Sequence, residues 1–193
     1  MTEYKIITEA DEIVLMKRDN KFKLEASKKV KIPCGIIQSV ENLEIYNLLK
    51  LLNETLIHKC KIMQDDKDNQ IDILLFLNDI SGNLKKTDSD SDSDENNTRE
   101  KKYYISFTNS IKKINSNEIR VEGKKNSIKV NLDEYKKLEI DNIAINFKIT
   151  SKSELQILFK FNYIGETIPI YMENTIGLVF RKIIKNLLKY YSE

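Results

Sequence analysis

Histidine and cysteine are the side chains that most often bind zinc, and cysteine also supplies a thiol nucleophile. The chain contains only three such residues. They are His58, Cys34 and Cys60. A zinc site takes four ligands, or three and a water, held at tight spacing, so three dispersed side chains do not form one. Catalysis by a Cys–His pair requires that the two side chains face each other. A leucine-rich helix is predicted over about 39–60, with residues 58 and 60 on different sides, so we expect a structural or surface histidine.

Other sequence patterns that could indicate catalysis or metal binding are equally weak. The segment DDKDNQID at 65–72 resembles an acidic cation loop, but it lacks the glycine and the terminal glutamate of the calcium-binding pattern and is interpreted as a turn. The chain contains no GxGxxG, P-loop or GxSxG sequence. The sequence therefore predicts no catalytic residue, no metal site and no cofactor, and it favours a protein that is not an enzyme.

A run of alternating Asp and Ser, within KKTDSDSDSDENNTREKK at 85–102, is unlike the rest of the chain. Residues 87–98 contain no apolar side chain to offset the entropy of ordering, so we expect an exposed, disordered insertion loop over 85–102. Ser89, Ser91 and Ser93 each precede acidic residues, a pattern typical of acidophilic kinase sites. Phosphorylation of all three would add roughly −4.5 to −6 charges.

Charge is unevenly distributed along the chain, although the net charge is only +2. Residues 1–86 are balanced, residues 87–100 carry −5, and residues 101–193 carry 17 basic and 10 acidic side chains. Three interpretations of the acidic loop are open. It is a solubilising insertion, it competes with an acidic ligand such as nucleic acid for the basic half, or it docks a partner.

Basic and aromatic residues mix on the strands that follow the loop, and a sheet face of this kind can stack bases and hold phosphates. The candidate nucleic-acid-binding residues are Lys101, Lys102, Tyr104, Lys112, Lys113, Lys124, Lys125 and Lys129. The leading hypothesis is a non-enzymatic binding protein that binds single- or double-stranded nucleic acid through residues 101–193 and is modulated by the acidic loop.

Alternation of apolar and charged residues predicts strands in both halves. In KFKLEA, for example, Phe22 and Leu24 would share one face and Lys21 and Lys23 the other. After the loop, strands are predicted at YYISFTNSI, EIRVEG, SIKVNL, NIAINFKIT, ELQILFKFNYI and TIPIYM, with a helical turn at 132–138. The predicted fold class is α+β: a mostly antiparallel sheet, one buried helix, and a C-terminal amphipathic helix packed on the sheet, in a single domain over 1–193.

The C-terminal helix has the clearest pattern in the chain, with apolar residues at helical spacing and lysines on the opposite face. The apolar positions are Ile176, Val179, Phe180, Ile183, Ile184, Leu187, Leu188 and Tyr191. We expect this stripe to pack on the sheet, but a basic amphipathic helix also binds membrane surfaces, partner grooves or a second copy of the chain. The alternative hypothesis is thus a protein-interaction or assembly subunit that uses the C-terminal helix or the acidic loop. Exposure of Phe180, Ile184 and Leu188 would favour it.

Two short segments resemble known families in pattern. Residues 122–138, EGKKNSIKVNLDEYKKL, resemble the strand-to-helix edge of a family of transcriptional coactivators that bind single-stranded DNA. Residues 142–173 are similar to the closing hairpins of sliding-clamp subunits. Neither resemblance implies a functional residue here.

The cellular compartment is predicted from three features that we do not find in the sequence: paired cysteines, a secretory signal and a membrane span. The two cysteines have no CxxC partner and are expected to be reduced and buried. The acidic beginning, MTEYKIITEADE, does not resemble a secretory signal, and no run approaches the length of a membrane span. We expect a cytoplasmic or nuclear protein that is not secreted. Heavy use of Ile, Lys and Asn indicates an AT-rich genome.

Overall fold

The computed structural model describes residues 3–64, 70–78, 102–130, 134–164 and 173–192, in which the chain forms a ten-stranded sheet and three helices. The strands are β1 (Lys5–Ala10), β2 (Ile13–Arg18), β3 (Lys21–Lys29), β4 (Ile57–Gln64), β5 (Gln70–Leu77), β6 (Lys102–Asn115), β7 (Glu118–Lys125), β8 (Tyr135–Lys137), β9 (Ile140–Ser151) and β10 (Glu154–Tyr163). The helices are α1 (Pro33–Glu41), α2 (Glu44–Leu52) and α3 (Glu173–Ser192). The predicted α+β class with a mostly antiparallel sheet is confirmed.

The sheet has one apolar and one mostly polar face, as the alternation predicts. Phe22 and Leu24 on β3 are buried against the helices, whereas Lys21 and Lys23 lie on the opposite face. The strand order is β1-β2-β3-β10-β9-β7-β6-β5-β4, and β8 pairs with β6 in parallel. The pairing of β3 with β10 joins the two ends of the chain, with Phe22 opposite Phe161.

Two helices replace the single buried helix predicted over 39–60, so that prediction is wrong in its boundaries and number. Pro33 begins α1, where a proline's missing N–H costs nothing. Leu43 separates the helices because its φ of 62° is left-handed and cannot continue a helix. The chain then turns, and residues from Ile57 onward form β4, on which His58 is exposed. The leucine-rich run over 39–60 therefore spans the end of α1, all of α2, a turn and the beginning of β4.

Helix α3 confirms the C-terminal prediction and packs its apolar stripe against the sheet and the other two helices. Ile176, Phe180, Ile184 and Leu188 are all buried. Polar contacts fix its flanks: Asn186 Nδ2 donates to the Asn53 side-chain oxygen at 2.8 Å. None of the helices in the described ranges is both long and apolar enough to span a membrane.

The segment that follows β7 differs from its prediction. The described part of the predicted strand at 127–132 forms no regular structure, and the predicted helical turn at 132–138 contains the short strand β8. Within the described residues 134–164 three strands follow and not a long helix, so the resemblance to the coactivator edge does not hold. A small apolar cluster on the sheet face opposite the helices explains the position of this segment, because side chains of the segment cover strand residues there. The cluster consists of Leu74, Phe76, Tyr104, Ile128, Val130 and Tyr135.

Several predictions fall on residues outside the described ranges. They are the acidic loop at 85–102 except Lys102, its candidate phosphorylation sites Ser89, Ser91 and Ser93, the strand TIPIYM, and Lys101. Of the two cysteines, Cys60 is half-buried, but Cys34 near the start of α1 is exposed, which corrects the expectation that both are buried.

Candidate binding cavity

An apolar cavity of about 70 Å³ lies between the sheet and the three helices. It is lined by Val40, Ile45, Tyr46, Leu49, Ile57, Leu75, Phe107, Asn109, Val121, Ile143, Ile145, Phe147, Phe159, Phe180, Ile183, Ile184 and Leu187. Helix α3 forms one wall, α1 and α2 contribute a second, and the inward positions of the central strands form the floor. Because successive inward positions lie two residues apart on each strand, the floor repeats that spacing, as at Phe107 and Asn109.

The lining is mostly aliphatic and carries no ionised side chain. Its titratable group is the Tyr46 hydroxyl, and burial raises the pKa of Tyr46 to about 12, so it stays neutral at ordinary pH. Cys60 packs at the edge of the same core, and burial raises the pKa of its thiol to about 11. A thiol with so high a pKa is a poor nucleophile. The described residues of the lining therefore offer mostly apolar surface and a phenol that is neutral at ordinary pH.

Asn109 is the polar exception in the floor. Its side chain is 2% exposed, and its Nδ2 donates a hydrogen bond to the Tyr46 hydroxyl on α2. Its Oδ1 is buried and has no hydrogen-bond partner among the described residues. Gly123 lies opposite Asn109 on β7 and leaves room for the amide, since a Cβ at Gly123 would come within 2.5 Å of that oxygen. The floor thus contains one buried acceptor, which lies over Gly123 among apolar side chains.

Metal chemistry has no visible support in the described ranges. Within residues 3–64, 70–78, 102–130, 134–164 and 173–192, no group of three or more His, Cys, Asp and Glu side chains could hold a metal ion.

The candidate nucleic-acid residues do not form one surface. Neighbouring residues of a strand point to opposite faces, which separates Lys112 from Lys113 on β6 and Lys124 from Lys125 on β7. Lys129 lies exposed on the segment after β7. The prediction that these lysines form one surface is wrong because charge summed along the chain is not divided between the two faces of a sheet.

Four of the candidate lysines are also ion-paired, and the aromatic residue is covered. Ion pairs join Lys102 to Glu134 at 3.6 Å, Lys112 to Glu122 at 3.3 Å, Lys113 to Glu41 at 2.6 Å and Lys125 to Glu139 at 3.1 Å. Tyr104 is 3% exposed, packs on Phe76, and accepts a hydrogen bond from the Val130 amide. A buried ring cannot stack on a base.

The fold is similar to that of solved domains whose titles name lipid transfer. The human StarD13 lipid transfer and protein localization domain matches with a TM-score of 0.68 at 8% identity, over 99% of this chain and 90% of that chain. Human StAR-related lipid transfer protein 5 matches with 0.66 at 10% identity, over 97% and 86%. A STAR-related lipid transfer protein from Xanthomonas axonopodis matches with 0.63 at 11% identity, over 98% and 99%.

These likenesses show the fold, a mostly antiparallel sheet that grips a long C-terminal helix. At the level of sequence, no family model and no curated protein matches the chain.

The fold and the placement of the residues overturn the nucleic-acid hypothesis. The structural neighbours are lipid-transfer domains, and the predicted basic surface is divided and ion-paired. The alternative was a protein-interaction or assembly subunit that uses the C-terminal helix or the acidic loop, and the loop lies outside the described residues. Exposure of Phe180, Ile184 and Leu188 would have favoured the use of the helix. All three are buried.

Sequence reasoning missed Asn109, Tyr46 and Gly123. A signal for Asn109 was present, because it falls on the inward register of YYISFTNSI, where Tyr103, Ile105 and Phe107 precede it at even spacing. A polar residue in an apolar register indicates a buried amide that needs a partner. Tyr46 and Gly123 carried no such signal, because their contacts with Asn109 depend on tertiary packing.

Proposed function

We propose that this chain binds an apolar lipid molecule in the cavity between the sheet and helix α3. The observation that carries the proposal is the enclosed, almost entirely apolar lining within a fold that solved lipid-transfer domains share. Ligand sites are typically concave and mostly apolar, with few polar groups. Transfer of apolar surface from water into such a site is favourable by about 25 cal/mol per Å².

Binding requires the cavity to grow. At about 70 Å³ it is smaller than the roughly 300–1,000 Å³ typical of ligand pockets. The strands that form the floor are joined by continuous hydrogen-bond ladders, whereas the helices are held by side-chain packing and a few polar contacts. Displacement of a helix wall is therefore the less costly route, and α3 forms the longest part of that wall.

A binding function without catalysis fits the site best. The lining has no carboxylate, imidazole or thiolate to act as acid, base or nucleophile, and the Tyr46 hydroxyl stays neutral. We therefore keep the protein in the class of non-enzymatic binding proteins. A cytoplasmic or nuclear location stays a prediction.

The test is lipid capture from vesicles. The chain would be incubated with phosphatidylcholine vesicles that contain a long-chain alcohol, a sterol and a diacylglycerol, then repurified, and bound lipid measured by native mass spectrometry. We expect one lipid molecule per chain. Val121→Phe, which adds a ring into the cavity, should lose most of the bound lipid.

The matched control is Val14→Phe, the same change at a half-buried position on the opposite face of β2. It should capture as much lipid as the wild type. Capture of no lipid by the wild type, or equal capture by Val121→Phe, would overturn the proposal.

A further inference from the structure

The buried amide of Asn109 is costly in an apolar wall unless something satisfies it. A leucine would fill a similar volume at this position without desolvating a polar group. Instead the fold provides space for the amide at Gly123 and one partner at Tyr46, and leaves Oδ1 without a partner among the described residues. Buried polar atoms in native proteins are nearly always hydrogen-bonded, and Asn109 is one of the residues that line the cavity. A molecule in the enlarged cavity is therefore placed to supply the missing partner.

The unsatisfied atom remains whichever way the amide is oriented. If the oxygen and nitrogen of Asn109 exchange places, the Tyr46 hydroxyl donates to the oxygen, and the nitrogen becomes the atom without a partner. A ligand hydroxyl suits both arrangements, because it can donate and accept. In the orientation described, the Tyr46 hydroxyl also retains its own hydrogen to donate. A single hydroxyl can therefore satisfy both side chains.

An ionised ligand group has no counterpart in the cavity. No lysine, arginine, aspartate or glutamate is among the lining residues, so a buried phosphate or carboxylate would lack a counterion. The lining therefore discriminates against a charged head group inside the cavity and tolerates one neutral polar group.

We propose that the cavity selects an uncharged apolar molecule with one hydroxyl, and that this hydroxyl donates a hydrogen bond to Asn109 Oδ1. The selection rests on the proposed lipid-binding function and adds Asn109 as its specificity-determining residue. Gly123 and Tyr46 position the amide.

Two isomeric probes test the selection directly. The molecules 1-octanol and heptyl methyl ether have the same atoms, but only the alcohol can donate a hydrogen bond; octanoate tests the charge. Affinities of the full chain would be measured by isothermal titration calorimetry. We expect 1-octanol to bind roughly tenfold more tightly than the ether, the effect of one buried hydrogen bond, and octanoate to bind most weakly at neutral pH.

Variants assign the preference to Asn109. Asn109→Leu should reduce the preference, and Asn109→Leu combined with Tyr46→Phe should bind both isomers with equal affinity, because the Tyr46 hydroxyl alone can still accept a hydrogen bond from the alcohol. Gly123→Ala, which would push the amide out of place, should reduce the preference as a second route. Asn142→Leu, the same change at an exposed position on β9, should keep the tenfold preference.

Each outcome decides between the two proposals. If the wild type binds both isomers equally, the hydroxyl selection is wrong and the lipid-binding proposal stands. A preference in Asn109→Leu as large as that of the wild type would remove Asn109 from the account. If the wild type binds neither isomer and also captures no lipid from vesicles, the proposed function itself fails.

Discussion

The apolar face of the sheet has two ends that are packed in opposite ways. Under the first part of α3, rings are in direct contact: Phe22 stacks on Phe161 with centroids 4.8 Å apart, and Phe161 lies 4.5 Å from Phe180. Under the later part of α3, and beneath α1 and α2, the side chains are mostly aliphatic. The space that they do not fill is the cavity. Phe159 and Phe180 belong to both regions and form the boundary.

The difference shows that side-chain shape, on one continuous sheet, creates the cavity. Flat rings fill the packed end so completely that α3 needs a glycine there, since a Cβ at Gly177 would come within 2.6 Å of the Phe22 ring. At the hollow end, short branched side chains such as Val121 and Ile183 do not reach across the same gap. The packed end holds the helix on the sheet, and the hollow end is where we propose that the apolar molecule binds.

The largest expected effect comes from emptying the packed end. Phe161→Ala removes a fully buried ring that contacts three other rings, and it should lower the free energy of unfolding by about 3–5 kcal/mol. Urea denaturation followed by circular dichroism measures the change. Tyr190→Ala, at a ring that is 51% exposed on α3, is the control and should change stability by less than about 0.5 kcal/mol. Equal losses for the two variants would contradict the contrast.

Adding volume at each end should produce opposite signs. Gly177→Val forces two methyl groups against the Phe22 ring and should destabilise by about 1–3 kcal/mol. Val121→Ile adds one methylene into the cavity and should be neutral or stabilise by up to about 0.8 kcal/mol. The same urea titration compares them. If Val121→Ile destabilises as much as Gly177→Val, the hollow end is packed as tightly as the other.

Much of the packed end could be predicted from the sequence, because the signals are local. The stripe from Ile176 to Leu188 repeats at helical spacing, and the alternation at Phe22 and Leu24 sets the face of β3. The cavity could not be predicted in this way. It depends on which strands become neighbours, and the pairing of β3 with β10 joins residues more than 100 positions apart.

The wrong predictions have physical reasons of the same kind. A leucine-rich run over 39–60 has helical periodicity, but it does not reveal that Leu43 adopts a left-handed conformation or that Ile57 begins a strand. Summed charge predicts a basic surface, but it ignores both the alternation of strand faces and the glutamates that pair with Lys112 and Lys113. Tertiary structure decides each of these points.

A smaller effect is expected from Asn109 and Tyr46, the hydrogen-bonded pair at the hollow end. Asn109→Leu leaves the Tyr46 hydroxyl buried without its partner and should cost about 1 kcal/mol, and Tyr46→Phe should cost a similar amount by freeing the amide. The double variant removes both polar groups and should be less destabilised than the sum of the two. A double-mutant cycle from urea unfolding measures the coupling, expected at about 0.5–3 kcal/mol. Additive losses would show that the two side chains act independently.

The smallest effect is expected at the surface contact between α3 and the β1–β2 turn. A hydrogen bond from Lys185 at 2.6 Å, with the nearby Arg181 guanidinium, lowers the pKa of Asp11 below its ordinary value of 3.8. The pKa of Asp11 is lower in the folded state than in the unfolded state. The stability that this contact contributes is therefore complete above pH 3.8 and is lost as pH falls through the folded-state pKa. Asp11→Asn should lower the melting temperature slightly at pH 7 and low salt.

That difference should disappear in acid and shrink at high salt, since the pair is exposed and screened. Melting curves of the wild type and Asp11→Asn at pH 7 and near pH 2 measure it. A difference that is as large in acid as at neutral pH would show that Asp11 acts through packing and not through its charge.

The most direct test of the central claim is to locate a bound apolar molecule by nuclear Overhauser effects. With methyl-labelled protein and 1-octanol, the account predicts contacts from the ligand chain to the methyl groups of Val121, Ile183 and Leu187, and none to Leu15 or Leu24 at the packed end. Contacts to Leu15 and Leu24, or only to the exposed Leu51, would contradict the assignment of the hollow end as the binding site.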